Sequence, residues 1–183
     1  TPTAELSPIW SPEGTRIAFT ISSASRREEA PDYAGAKILF TWLERQPTDV
    51  GVVPATGGAV VRLGSSPATE SAPRWIDPGH VVLQRVSEDL KTREVIVADA
   101  STGEAKPIHS DVDSKWWSLT YLNPEPVPSP NGRWIAFVSD RDGWDHLYVV
   151  RSEGGTVHQI TKGRYEVSRL RWSPDGTQIA FDT

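Results

Sequence analysis

Apolar residues along the chain gather in short runs separated by proline, glycine and aspartate, and the runs are of two kinds. One kind follows a turn of the Ser-Pro-x-Gly type, at residues 15–22, 80–86, 133–139 and 177–182. The other leads into a glycine, at 50–54, 94–99 and 146–151. After each of those glycines comes a shorter polar–apolar segment, at 59–63, 104–108 and 156–160. All of these read as β-strands. Proline presets φ in the turns and glycine accepts φ > 0. Runs such as "RWIAFVS" (133–139) are apolar at successive positions, which predicts strands covered on both faces. Helical periodicity is not sustained outside the inserts, so the fold class is all-β.

The runs belong to a repeat. "WSPEGTRIAF" (10–19) and "WSPDGTQIAF" (172–181) are nearly the same decapeptide; "PSPNGRWIAF" (128–137) is a third copy and "WIDPGHVVL" (75–83) a degenerate fourth. Pro130 and Pro174 are 44 residues apart, within the ~40–45 residues of a β-propeller blade. The interval Pro12–Pro78 is 66 residues and Pro78–Pro130 is 52, so the same blade length carries inserts. Gly103 and Gly155 are also 52 apart, which places the second surplus within 109–127; the first lies at about 23–45. The expected organisation is three complete blades, about 7–71, 72–124 and 125–167, and the start of a fourth at 168–183. Closed propellers have about 4–8 blades, and closure hides the sheet edges. The chain is therefore expected to be a portion of a larger propeller, or one of several chains completing it. Its Thr-Pro-Thr start and lack of methionine point the same way.

Composition narrows the function. With 37% apolar and 23% charged residues, the 183-residue chain reads as globular. A net charge of −5 without a basic stripe disfavours nucleic acid and anionic membrane as partners. No apolar run approaches the ~18 residues of a membrane span. Zero cysteines exclude disulfides and thiolate chemistry, and fit cytoplasm and periplasm alike.

The densest candidate chemistry is "SDRDGWDHLYVV" (139–150), where Asp140, Asp142 and Asp145 surround Gly143 and precede His146. A calcium loop starting at Asp140 would need glycine at its sixth position and glutamate at its twelfth; those positions hold Asp145 and Arg151. The repeat makes "DRDG" a hairpin turn instead. His146 is expected to be a hydrogen-bonded structural histidine. His109 with Asp111 and Asp113 could gather a cation, and a solvated acidic loop is the preferred reading. The chain has no Gly-x-Ser-x-Gly elbow, P-loop, Gly-x-Gly-x-x-Gly or His-Glu-x-x-His. No metal site, cofactor or catalytic residue is assigned.

"DGWDHLY" (142–148), "QITKG" (159–163) and "RYEV" (164–167) resemble propeller blades of the prolyl oligopeptidase family, in its dipeptidyl-peptidase-IV-like branch. That branch carries Asp-Gly-Trp-x-His-Leu-Tyr in such a hairpin and a glycine–aromatic–Glu-Val step before a blade boundary. Here the step is Gly163, Tyr165, Glu166 and Val167, with Arg164 inserted and Tyr165 where tryptophan is usual. The "SPDG…IAF" repeats are also similar to those of TolB-like periplasmic propellers.

The resemblance implies a non-catalytic propeller that gates and positions peptides for a separate α/β-hydrolase domain with a Ser-Asp-His triad. The implied partners are peptide substrate, the rest of the propeller and the hydrolase, with open blade edges available for self-association. A TolB-like binding propeller without a hydrolase is the alternative, and a polysaccharide lyase propeller a third class. In the peptidase branch an adjacent glutamate pair on a propeller insert binds the substrate's N-terminal amine. Glu28-Glu29 is the only Glu-Glu pair here. Two carboxylates suit an ammonium with its three donors. The neighbouring Arg26 and Arg27 leave open the alternative of a solvated, mutually neutralising charge run.

Overall fold

The computed structural model describes residues 4–22, 48–64, 68–87, 89–113 and 125–183. Within them the secondary structure is strand and turn, arranged as four antiparallel sheets in chain order. The first contains β1 (Ala4–Trp10), β2 (Arg16–Ser22), β3 (Thr48–Pro54) and β4 (Val61–Arg62), paired in that order. The second contains β5 (Thr69–Glu70), β6 (Arg74–Trp75), β7 (His80–Val86), β8 (Thr92–Asp99) and β9 (Ala105–Val112). There β5 and β6 both pair with β7, which is followed by β8 and β9. The third is β10 (Val127–Pro128), β11 (Trp134–Ser139), β12 (His146–Arg151) and β13 (His158–Gln159), and the last is β14 (Ser168–Trp172) with β15 (Ile179–Asp182).

The expected runs are β2, β7, β11 and β15, and then β3, β8 and β12. In each sheet the structure adds a strand before the Ser-Pro-x-Gly turn or its relative (β1, β6, β10, β14), with β5 as well in the second sheet, so the run after the turn is not the first strand of its unit. The unit beginning at Ser168 accordingly has two strands within this chain, where the sequence pattern marked only the run at 177–182.

The turn recurs with the same bonds. The Ser11 hydroxyl accepts from Arg16 N–H (3.0 Å), Ser129 from Trp134 (3.0 Å) and Ser173 from Gln178 (2.9 Å). In each case the same serine's carbonyl accepts from the turn glycine, Gly14, Gly132 or Gly176. These serines are spent on turn geometry.

Successive sheets stack face to face. Ala18, Val50, Val52 and Leu63 of the first sheet meet Trp75, Val81, Leu83 and Ile96 of the second. On the second sheet's other face, Val82, Val95 and Ile108 meet Ile135, Phe137, Tyr148 and Val150 of the third. Ala136, Val138, Leu147 and Val149 then meet Val167 and Leu170 near the last. Odd and even residues of β11 thus enter different cores, which explains why its sequence does not alternate. The repeat tryptophan ties neighbouring units together. Trp75 Nε1 donates to the Ile9 carbonyl of β1 (3.1 Å), and Trp172 Nε1 donates to Val127 of β10 (3.0 Å). Trp10, at the same place in the first unit, is 59% exposed.

Candidate functional site

Glu28 and Glu29 lie outside the described residues; the chain leaves the described structure at Ser22 and re-enters at Thr48, which pair across β2 and β3. The base of that connection is fixed by Glu70 of the next sheet. The Thr48 hydroxyl donates to the Glu70 carbonyl (2.5 Å), and Glu70 N–H donates back to Thr48 Oγ1 (3.1 Å). Glu70 Oε2 accepts from Val50 N–H (2.8 Å), while Oε1 accepts from Arg85 Nε (3.0 Å) and Nη2 (2.7 Å). The carboxylate is buried, and burial raises its pKa against the opposing pull of Arg85 and the Val50 N–H.

The "DGWDHLY" hairpin is at the same end of the sheets, between β11 and β12. Gly143 N–H closes the turn onto the Asp140 carbonyl (2.8 Å), with Gly143 at φ 95°, as a hairpin turn requires. His146 is 1% exposed. Its Nε2 faces the Gly163 carbonyl (3.1 Å), which can only accept, so the ring donates there. Its Nδ1 then accepts from the Thr161 hydroxyl (3.1 Å), whose oxygen accepts from Leu147 N–H (2.9 Å). Tyr165 meets the ring edge-on at 5.4 Å. Asp145 N–H donates to Glu166, and Val167 N–H donates to the Asp145 carbonyl (2.8 Å). The two motifs that carry the resemblance are therefore halves of one lock, joining the hairpin to the crossover into the next sheet. Burial, with Glu166 and Asp140 nearby, raises the Asp145 carboxyl to about 6.

The hairpin's other side clasps the preceding sheet. Arg93 of β8 lies 3.1 Å from Asp140 and 3.6 Å from Asp111 of β9. Arg141 lies 3.2 Å from Asp111 and 2.7 Å from His109 Nε2, which is itself 3.0 Å from Asp111. Residues 109–112 thus extend β9, and His109 and Asp111 take part in a half-buried ion-pair network, where the sequence favoured a solvated loop. The reason lies in the stack, since the arginines come from β8 and from the next sheet's hairpin. Burial alone would raise the Asp111 carboxyl, but His109, Arg141 and the Ser139 hydroxyl outweigh it and hold it below the usual carboxylate range. Among the described residues no group of three or more acidic or histidine side chains is arranged to hold a metal.

Ser139, His109 and Asp111 have the composition of a triad without its geometry. A triad histidine offers one ring nitrogen to the serine and the other to the carboxylate. Here Nε2 points at Asp111 and Arg141, and fully buried Ser139 accepts from Arg141 Nε (3.1 Å).

Stacked antiparallel sheets, repeated Ser-Pro-x-Gly turns and tryptophan ties define a β-propeller made of successive blades. The model for the dipeptidyl peptidase IV (DPP IV) N-terminal region matches residues 70–181, and the chain belongs to that family. The chain is 34% identical over 93 residues to the uncharacterized peptidase YuxL of Bacillus subtilis, covering 50% of this chain and 13% of that protein. It is 30% identical over 96 residues to dipeptidyl peptidase 4 of Trichophyton rubrum, covering 51% and 12% respectively. The fold matches a solved dipeptidyl aminopeptidase IV structure from Bacteroides ovatus with a TM-score of 0.70 at 20% identity, over 96% of this chain and 29% of that one. TolB from Acinetobacter baumannii matches with a TM-score of 0.62 at 21% identity, over 98% and 37%.

Proposed function

We propose that these blades are the non-catalytic part of a dipeptidyl-peptidase-IV-like serine peptidase, where they restrict entry and position peptides for a separate α/β-hydrolase domain. The observation that carries this reading is the family match across residues 70–181, which includes both halves of the hairpin lock. In this reading the blades fall at about 7–71, 72–124 and 125–167, with another begun at 168–183. The β2–β3 connection then carries the recognition element, with Glu28 and Glu29 holding the substrate's N-terminal ammonium as paired carboxylates. The Thr48–Glu70–Arg85 network gives that connection a fixed base. Two locks also hold the third blade to its neighbours, which suits a gate that keeps its shape while substrate passes.

A TolB-like binding propeller is the second reading, favoured by the match of TolB structures over 98–99% of the chain. The reading frame after Thr183 separates the two. A hydrolase-sized continuation containing Gly-x-Ser-x-Gly supports the peptidase, and an early stop codon supports the binding propeller. The amine-binding role is tested by E28Q and E29Q in the intact peptidase. KM for dipeptide substrates should rise at least tenfold, while blocked peptides lacking a free amine are unaffected. Unchanged KM in both variants would leave the pair as a solvated charge run.

A further inference from the structure

We infer that His109 is a pH-dependent latch, whose protonation releases Arg141 and loosens the 140–145 hairpin from the preceding blade. Three atoms carry the argument: His109 Nε2 lies 2.7 Å from Arg141 Nη2 and 3.0 Å from Asp111 Oδ1, and those two are 3.2 Å apart. A guanidinium only donates and a carboxylate only accepts, so the ring nitrogen between them can satisfy only one. With a free lone pair it accepts from Arg141, and Asp111 is held by Arg141 and by Arg93 at 3.6 Å. Once protonated, Nε2 donates to Asp111, the form in which His109 helps hold that carboxyl low, and places its positive charge 2.7 Å from the Arg141 nitrogen. Like charges at that distance repel, and histidine is the side chain whose charge changes between about pH 5 and 8.

Arg141 is the partner able to move. Its side chain is 33% exposed, against 18% for Asp111 and 4% for Arg93. The His109 ring is fixed by stacking on Phe137 at 4.9 Å. Arg141 now lies over the Tyr148 ring at 4.3 Å, and the Tyr148 hydroxyl is buried with no hydrogen-bond partner among the described residues. Withdrawal of Arg141 lets water reach that hydroxyl, so the closed arrangement carries a cost that opening relieves. Among the described residues, the charged and titratable groups facing the latch are Asp111 on β9, Arg93 on β8, Asp140, Arg141 and Asp142 on the hairpin, and Tyr148 on β12. The Arg93–Asp140 contact does not involve His109, so Asp140 stays anchored and opening is confined to the residues after it in the hairpin. None of this depends on the peptidase reading.

The test is amide hydrogen exchange in the full-length protein at pH 7.5 and 5.5, corrected for intrinsic rates. The two amides compared are Gly143 N–H, which closes this hairpin, and Gly176 N–H, which closes the matching turn on Ser173. Between wild type and H109Q, the ratio of Gly143 protections should widen about tenfold on acidification, with Gly176 unchanged. A ratio that is the same at both pH values overturns the inference. If H109Q loses Gly176 protection and so fails to fold, R141Q decides. Removing the opposing cation should abolish the acid loosening at Gly143, and its persistence there overturns the latch.

Discussion

Replacing Glu70 tests the contact between the first two blades and the base of the β2–β3 connection. Glu70 is 6% exposed and its carboxylate takes three hydrogen bonds, one from Val50 N–H and two from Arg85. E70A leaves the Val50 N–H unpaired, which costs about 1–3 kcal/mol. It also strands a guanidinium whose side chain is 15% exposed. Breaking a buried pair from one side costs about 3–5 kcal/mol in all, and the residual exposure of Arg85 puts this case near 3. E70Q behaves differently. Glutamine has the same shape and keeps an oxygen where the Glu70 carboxylate meets Val50 N–H and Arg85. An amide oxygen still accepts, and the cost should be about 1 kcal/mol. The assay is hydrogen exchange at Val50 N–H. E70A should lower its protection somewhat over a hundredfold, E70Q by no more than about tenfold, and E70A/R85L should recover part of the E70A loss. Equal losses in E70A and E70Q would refute the reasoning, because the charge would then carry the interaction. No loss in E70A would show that the bond to Val50 contributes nothing.

Other consequences are more local. Y148F removes a buried hydroxyl that has no partner among the described residues, so Gly143 protection should rise at pH 7.5; a fall would mean that the hydroxyl has a partner in solution. Asp145 titrates at about 6 in the folded chain and near 3.8 in an unfolded one. Its stabilising contribution is thus complete below about pH 4 and lost as pH rises through 6. Val167 N–H, bonded to the Asp145 carbonyl, should accordingly lose protection between pH 5 and 7.5 in wild type and stay level in D145N. Gly103 sits at φ 77°, where an added Cβ would come within 2.3 Å of the Arg62 carbonyl in the first blade. G103A should cost more than about 2 kcal/mol, measured by exchange at Gly64 N–H, which bonds Gly103 O. G143A, with open space around it, should cost only the ~1 kcal/mol of the left-handed backbone, measured by urea unfolding.

Strands next to strong turn signals were legible in the sequence. β2, β7, β11 and β15 follow a Ser-Pro-x-Gly turn or its relative, and the hydrogen bonds that make that turn lie within six residues. The hairpin at 140–143 was legible for the same reason, as was a structural His146. The strands before the turns were not. β10 and β6 are two residues long, and their pairing depends on a neighbour being in place. The interblade chemistry was hidden for a different reason. Arg93 and Asp140 are 47 residues apart, and Arg141 and His109 are 32 apart, so only the stacking of two sheets brings them together. Glu70 gave no signal because "ATESAP" reads as a polar linker, and its role comes from Val50 and Arg85 on other strands.

The central claim, that these blades serve a hydrolase on another segment, is tested most directly by labelling the full-length gene product with a fluorophosphonate probe and mapping the modified serine. Peptide hydrolysis of this kind needs an activated serine, a base and oxyanion donors, which the family places in the α/β-hydrolase domain. The account predicts one stoichiometric label, outside residues 1–183 and within a Gly-x-Ser-x-Gly sequence. A label on any serine of these blades would contradict it, and a gene product that takes no label at all would shift the reading to a binding propeller.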